Sequence, residues 1–359
     1  MVRRALVVIA CGLAASACAS HAQAPQGREI LQWQRLPDLP QPISGQFVGV
    51  SNGALIVAGG SYFPVPLFEG GQKRWVATVF VLQPETKEWQ GGFALARPLA
   101  YGASVTTDDG VICIGGCDAE RCYAEVFRLR WVNGRVEQTP LPDLPRPCAM
   151  TSAALVGSSV YVAGGQDSPG ATAALRSFWK LELQEPQLGW QELAPWPGPA
   201  RILPVPAGQG GAFYLASGAE LFAGPDGKAA RRYLTDAYRF RPKGGWERIA
   251  DLLRAVVAAP AVAYGRSRIL VFGGDDGANA ERILELKENH PGFSRAVLAY
   301  DTRAKAWAQM GTLPASLVTT TAVRWGDGVV IAGGEDRPGH RSPNVYRLQF
   351  AGGQQHVGP

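Results

Sequence analysis

The chain has 359 residues, of which 46% are hydrophobic and 18% charged, and its formal net charge is +5 at pH 7. That composition excludes a disordered chain. A mild positive charge without any basic block argues against nucleic acid or an anionic membrane surface as a partner, and favours a small anionic ligand only weakly.

Residues 1–24 read as an export signal. Arg3 and Arg4 make a basic start, small and apolar residues run from Ala5 to Ala17, and no second long apolar run follows. Two processing sites compete. Ala15-Ser16-Ala17-Cys18 resembles a bacterial lipobox, with Ala15 where Leu is usual, and would make Cys18 a lipid anchor. Cleavage after Ala22 would leave none. Either way the expectation is a periplasmic or otherwise exported protein, touching a membrane only through that anchor. Losing Arg3 and Arg4 lowers the net charge by two, to +3.

Residues 30–40, ILQWQRLPDLP, read as one strand carrying Trp33. From there an apolar strand runs six times into a small-residue doublet: ALIVAGG, GVICIGG, SVYVAGG, GAFYLASG, RILVFGG and GVVIAGG. The doublets end at Gly60, Gly116, Gly165, Gly218, Gly274 and Gly334, at intervals of 56, 49, 53, 56 and 60 residues. Such a period signals a repeat architecture. After each doublet come a variable polar loop, a strand such as VFVL (79–82) or VYRL (345–348), a turn, in most repeats a Trp (Trp89, Trp190, Trp246, Trp307), and a proline-rich connector to the next alternating strand. Four short strands per repeat make one propeller blade, which must stack on neighbours to bury both faces. The last repeat lacks its Trp strand, and the first residues after the signal supply one. The expected fold is therefore all-β, one six-bladed β-propeller over residues 28–351, its sixth blade closed by the N-terminal strand, with residues 352–359 as a tail. The doublets are expected to follow the innermost strands, and the tryptophans to fill the gaps between blades.

Four cysteines lie beyond the signal: Cys113, Cys117, Cys122 and Cys148. Cys117 and Cys122 bracket a hairpin tip suited to a local disulfide in an oxidising compartment, although four cysteines allow three pairings. No histidine stands near them, so no metal site is expected.

Chemistry should sit in the loops that differ. The loop after the sixth doublet, GGEDRPGHRSPNVYRL (333–348), places a carboxylate at Glu335, a Pro-Gly turn at 338–339 and a guanidinium at Arg341. The turn lets the chain reverse and brings Arg341 beside Glu335, either as a site for an acidic sugar or as an ion pair closing a surface hairpin. In RPLAYGASV (97–105), Arg97 and Tyr101 are candidates for the pocket or for blade packing. Arg146 and Arg201 follow the proline connectors of blades three and four, as surface or inter-blade arginines or as substrate-binding residues of the pocket, and His290 lies in the partly helical insertion 281–293, a lid or a solvated loop. Asp275-Asp276 after the fifth doublet reads as a solvated turn in preference to a cation site. The surviving histidines, His290, His340 and His356, have no ligand-like spacing, and no phosphate or dinucleotide fingerprint stands in a strand–turn–helix context.

The Gly-Gly doublets with spaced aromatics resemble kelch propellers over essentially the whole mature chain. The stretch from Glu335 to Val345 resembles the G-E-x-x-P-G-x-R-[ST]-x-x-V loop of bacterial N-acetylneuraminate epimerases, which are sialic acid mutarotases. The resemblance implies a periplasmic isomerase acting on N-acetylneuraminate or a related acidic sugar, without a cofactor or metal. It implies Glu335 and Arg341 as the catalytic pair, Glu335 moving protons and Arg341 gripping the sugar carboxylate. It also implies a cyclic permutation, because in the family this blade lies mid-chain and here it is last. Asn and His residues found in the family's first long loop are absent from SYFPVPLFEGGQKRW (61–75). The alternative is a propeller that binds a glycan or a protein and does no chemistry.

Overall fold

The computed structural model describes residues 30–351. The export signal, Cys18 and the tail 352–359 lie outside the described residues.

Six four-stranded antiparallel sheets form the expected six blades. Blade one runs outward from the axis through Phe47–Ser51, Ala54–Ala58, Thr78–Leu82 and Gln90–Ala94. Blades two to five repeat that order, with first strands Ala103–Thr107, Ser152–Val156, Val205–Gln209 and Ala261–Tyr264. Blade six takes Ala322–Trp325, Gly328–Ala332 and Val345–Ala351 from the C-terminal end of the chain. Its outermost strand is Ile30–Leu36, paired antiparallel from Leu36↔Val345 to Ile30↔Ala351. The ring is thus sealed by strands from both ends, leaving no sheet edge between first and last blade.

Alternation decides where each side chain packs. In Ala54–Ala58 every residue is buried. Ala54, Ile56 and Ala58 face blade two, whereas Leu55 and Val57 face blade six. Because both faces of each blade are covered, six inter-blade clusters take the place of one central core.

One expectation needs correction. The doublets follow the second strand of each blade, not the innermost. The first strands line the axis and touch one another around it. The second strands are the continuous apolar runs because they lie in mid-sheet, buried on both faces. The doublets remain essential for another reason, since they latch neighbouring blades. The N–H groups of Gly60, Gly116, Gly165 and Gly334 each donate to the next blade's connector, to the carbonyls of Leu99, Cys148, Arg201 and Ile43, at 2.8 Å. Blade four has Ser217 in the first position, and its hydroxyl accepts the N–H of Val256 at 2.8 Å instead. Gly115 shows how tight the latch is. It has φ +57°, and an added Cβ would lie 2.2 Å from the Cys148 carbonyl oxygen. Gly115→Ala should therefore cost at least about 2 kcal/mol in unfolding free energy, read by denaturant titration; an unchanged midpoint would show that the latch yields freely.

The tryptophans fill the inter-blade gaps as expected and also stitch them. Indole N–H groups of Trp89, Trp190, Trp246, Trp307 and Trp33 donate to the carbonyls of Pro37, Pro142, Ala194, Ala250 and Thr312, at 2.8–3.1 Å. Each acceptor lies where the preceding blade's outer strand ends. Every such bond contributes about 1 kcal/mol net. Blade two differs: its Trp131 meets Phe93 of blade one edge-on.

On the doublet face the axis is necked by a circle of main chain. The residue after each doublet bridges back to its own blade's connector: Ser44↔Ser61, Ala100↔Cys117, Ala149↔Gln166, Ile202↔Ala219, Val257↔Asp275 and Val318↔Glu335. The next connector residue is left-handed every time: Gly45, Tyr101, Met150, Leu203, Ala258 and Thr319. Each of these six donates its N–H to the carbonyl of its counterpart one blade back, at 2.7–3.0 Å, and the circle closes from Gly45 to Thr319. Beyond the circle the first strands enclose an axial cavity of about 390 Å³, walled mainly by small and apolar side chains such as Ala103, Leu155, Ala207 and Val262. Among the described residues no carboxylate lines it.

Candidate functional site

The polar chemistry lies on the other side of that circle, among the loops. Glu335–Arg337 and His340–Arg341 form a short hairpin with Glu335 directly opposite Arg341. The sequence dictates this reversal: Pro338 fixes one corner and Gly339, at φ +77°, turns the other. Residues directly opposite in an antiparallel pair bring their side chains together. Here Glu335 Oε2 lies 3.3 Å from Arg341 Nη1, with the side chains 15% and 4% exposed. The bridge to Val318, next to the circle residue Thr319, holds Glu335 close to the axis. The hairpin is therefore not a surface ion pair.

Two further blades complete the site. Ser44 Oγ donates to Glu335 Oε1 at 3.1 Å. Arg341 Nη2 donates to Tyr101 Oη at 3.1 Å, and Tyr101 Oη lies 2.8 Å from Ser61 Oγ. Ser44 and Ser61 are themselves bridged through their backbones. Glu335, Arg341, Tyr101, Ser61 and Ser44 thus form a closed circuit of polar contacts. Tyr101 reaches it because its left-handed backbone, φ +61°, lays the ring across Gly45, where a Cβ would come within 2.7 Å of the ring.

The long loop of blade one forms one wall. Ser61–Tyr62 pairs with Arg74–Trp75, and Leu67 at the loop's tip packs on the Pro-Gly turn, within 2.6 Å of a Cβ built on Gly339. The loop sets the Phe63 ring 4.7 Å from the Arg341 guanidinium. It holds the Lys73 ammonium 4.9 Å from the Tyr101 ring and 5.7 Å from that of Trp75.

The other sequence candidates divide. Tyr101 belongs to the site. Arg97 does not join the circuit; it pairs with Glu125 at 3.0 Å and lies over the Tyr123 ring at 4.8 Å. Arg146 is exposed on its connector. Arg201 is fully buried, with both terminal nitrogens on Asp236 at 2.9 and 2.7 Å and a further bond to the Ser217 carbonyl. It is a structural member of blade four. His290 is buried within its own loop, where Nδ1 accepts the Gly292 N–H at 3.1 Å, and burial lowers its pKa against the opposing pull of Asp275. Its insertion includes one helical turn, Ile283–Leu286, and packs on the outside of the hairpin through Phe293 N–H to Asp336 O and through Arg337–Glu288. Asp275 is not a solvated turn. It is the counterpart of Glu335 in blade five; burial raises its pKa, although the Gly277 N–H and the Tyr233 hydroxyl offset part of that rise. Sequence reasoning overlooked Ser44, Ser61, Phe63, Lys73 and Trp75 individually. The position after each doublet was the available signal for Ser61.

The four cysteines are free and buried, so the expected Cys117–Cys122 disulfide is absent from this structure. The hairpin pairs the two residues as backbone partners, which sets thiol beside thiol without a bond. Burial raises the Cys148 thiol pKa to about 12.

Comparison with known proteins adds kinship to this geometry. The family model of N-acetylneuraminate epimerase matches residues 141–285. The N-acetylneuraminate epimerase of Haemophilus influenzae (strain 86-028NP) is 26% identical over 232 residues, 58% of this chain and 59% of that protein. That of Pasteurella multocida is 28% identical over 228 residues, 57% of each chain. That of Brucella melitensis biotype 1 is 27% identical over 267 residues, 66% of each. The chain therefore spans about three fifths of the length of the first of these relatives. The solved structure of YjhT superposes with a TM-score of 0.66 at 13% identity, covering 88% of this chain and 97% of its own, a likeness of fold. Taken with the six-bladed ring that carries them, these matches make the chain similar to N-acetylneuraminate epimerases over part of its length.

Proposed function

We propose that the protein is a mutarotase that interconverts the α and β anomers of N-acetylneuraminate or a related acidic sugar. The observation that carries this reading is the buried Arg341 paired with the half-buried Glu335 beside the axis, joined to Tyr101 in one circuit. Anomer exchange opens the pyranose at the anomeric carbon and recloses it on the other face. It needs a base for the anomeric hydroxyl proton and an acid for the ring oxygen. Glu335 takes the hydroxyl proton as the ring carbon–oxygen bond breaks, and the ring oxygen takes a proton from the Tyr101 hydroxyl. Arg341, 3.1 Å from Tyr101 Oη, stabilises the charge left on that oxygen. The open keto form turns about the bond beside its carbonyl, and the ring oxygen then adds to the opposite face. Its proton returns to Tyr101, and Glu335 returns the other to the new hydroxyl. This departs from the role expected for Arg341: with Nη1 on Glu335 and Nη2 on Tyr101, it orients the proton-transfer groups instead of gripping the substrate.

Two further parts of the reading rest on sequence. The basic and apolar N-terminus supports export. The place of the Glu335 loop in the last blade supports a cyclic permutation, since moving the seam of a ring keeps the blade contacts.

The test is nuclear magnetic resonance of freshly released α-anomer. Catalytic amounts of protein should speed its conversion to the β form. Binding without acceleration would leave a sugar-binding ring that does no chemistry. Tyr101→Phe should slow exchange about 100-fold with binding retained, the range for loss of one proton-transfer group; an unchanged rate would remove Tyr101 from the reaction.

A further inference from the structure

We infer that Lys73 binds the carboxylate of the substrate and thereby selects acidic over neutral sugars. The inference rests on the mutarotase reading and adds to it the group that recognises the anion.

The charges of the site require such a group. Glu335 neutralises Arg341 directly, and the second terminal nitrogen of Arg341 is held by Tyr101. Its Nε–H has no partner but is buried, and the side chain is only 4% exposed, so the guanidinium offers an incoming carboxylate no accessible bidentate edge. Lys73 is a second cation in the same wall. Among the described residues no carboxylate pairs with its ammonium. Other lysines do pair, Lys180 with Glu182 and Lys228 with Asp226. Lys73 is instead half-buried and held over two aromatic faces, Tyr101 at 4.9 Å and Trp75 at 5.7 Å. Ring faces orient an ammonium without neutralising it.

The position also suits the substrate. In an acidic sugar of this class the carboxylate sits on the anomeric carbon, two bonds from the oxygens that exchange protons. Whatever holds it must stand beside the acid and the base. Lys73 lies over the very ring whose hydroxyl binds Arg341. An ammonium is a compact charge that a long stem can steer, and here the blade-one loop steers it to the rim of the circuit.

The experiment compares N-acetylneuraminate with its uncharged methyl ester in wild type, Lys73→Met and Lys73→Arg, with thermal melting as a check on folding. Lys73→Met should raise KM for the acid about 30-fold, as expected for loss of a hydrogen bond to a charged group, while kcat changes less than about 3-fold. Lys73→Arg should restore most of the loss, and the ester should bind wild type and Lys73→Met alike. The inference is overturned if Lys73→Met leaves KM for the acid unchanged, or if acid and ester lose equally. Wild-type protein that leaves exchange at its spontaneous rate would sink the mutarotase reading instead. Lys73 would then be judged on binding alone, its acid-over-ester preference either vanishing in Lys73→Met, in support, or persisting, against.

Discussion

Glu335→Gln should slow anomer exchange by about 10²–10⁴-fold while N-acetylneuraminate still binds, the range for removing a general base. The change keeps the side chain's size and its acceptor toward Ser44 Oγ, 3.1 Å away in the native site. It removes the charge that faces Arg341 Nη1 at 3.3 Å. With Arg341 only 4% exposed, the variant also leaves a buried guanidinium without its carboxylate, so a measurable loss of stability should accompany the loss of rate. Rate and melting are therefore to be measured together. A stable variant with wild-type exchange would take Glu335 out of the mechanism, and a folded variant that no longer binds the sugar would make Glu335 a binding group.

Arg201→Met should lower unfolding free energy by about 3–5 kcal/mol, the range for breaking a buried ion pair, without altering kcat of the folded fraction. Arg201 is fully buried and grips Asp236 with both terminal nitrogens. Removing it strands a carboxylate that is 12% exposed. Burial pushes the Asp236 pKa up, but the Arg201 guanidinium and the Tyr238 hydroxyl outweigh it and hold the carboxyl below its ordinary value. A depressed folded-state pKa stabilises above the unfolded value, about 3.9, and the contribution is lost as pH falls through the folded value. The deficit of the variant should therefore be full at neutral pH and shrink only in acid. A deficit that is the same at pH 7 and in strong acid would show that packing, not charge, accounts for the loss.

The ring was legible in the sequence because its signals are side chains doing the same work in most blades. Doublets such as Gly115-Gly116 are needed wherever the main chain turns left-handed against a connector, and Trp89, Trp190, Trp246 and Trp307 recur because each closes the same gap. Glu335 and Arg341 were legible because a Pro-Gly turn between them forces a reversal. The circle around the axis was not, since Gly45, Tyr101, Met150, Leu203, Ala258 and Thr319 share a backbone conformation and no side-chain type. Arginines misled for a related reason. Arg97 and Arg201 stand near blade connectors, as a pocket residue would, yet each is satisfied by a carboxylate of its own surroundings, Glu125 and Asp236. Lys73 stayed hidden because its place depends on the path of a long loop between Ser61–Tyr62 and Arg74–Trp75, and no local spacing rule gives that path.

The circle of main-chain bonds from Gly45 round to Thr319 also bears on cooperativity. An open stack of repeats can fray from its ends, each unit giving up a single neighbour. Here every wedge has neighbours on both flanks, so peeling one away forfeits two interfaces at once. Partial opening is penalised doubly, and the molecule should melt as one body rather than module by module.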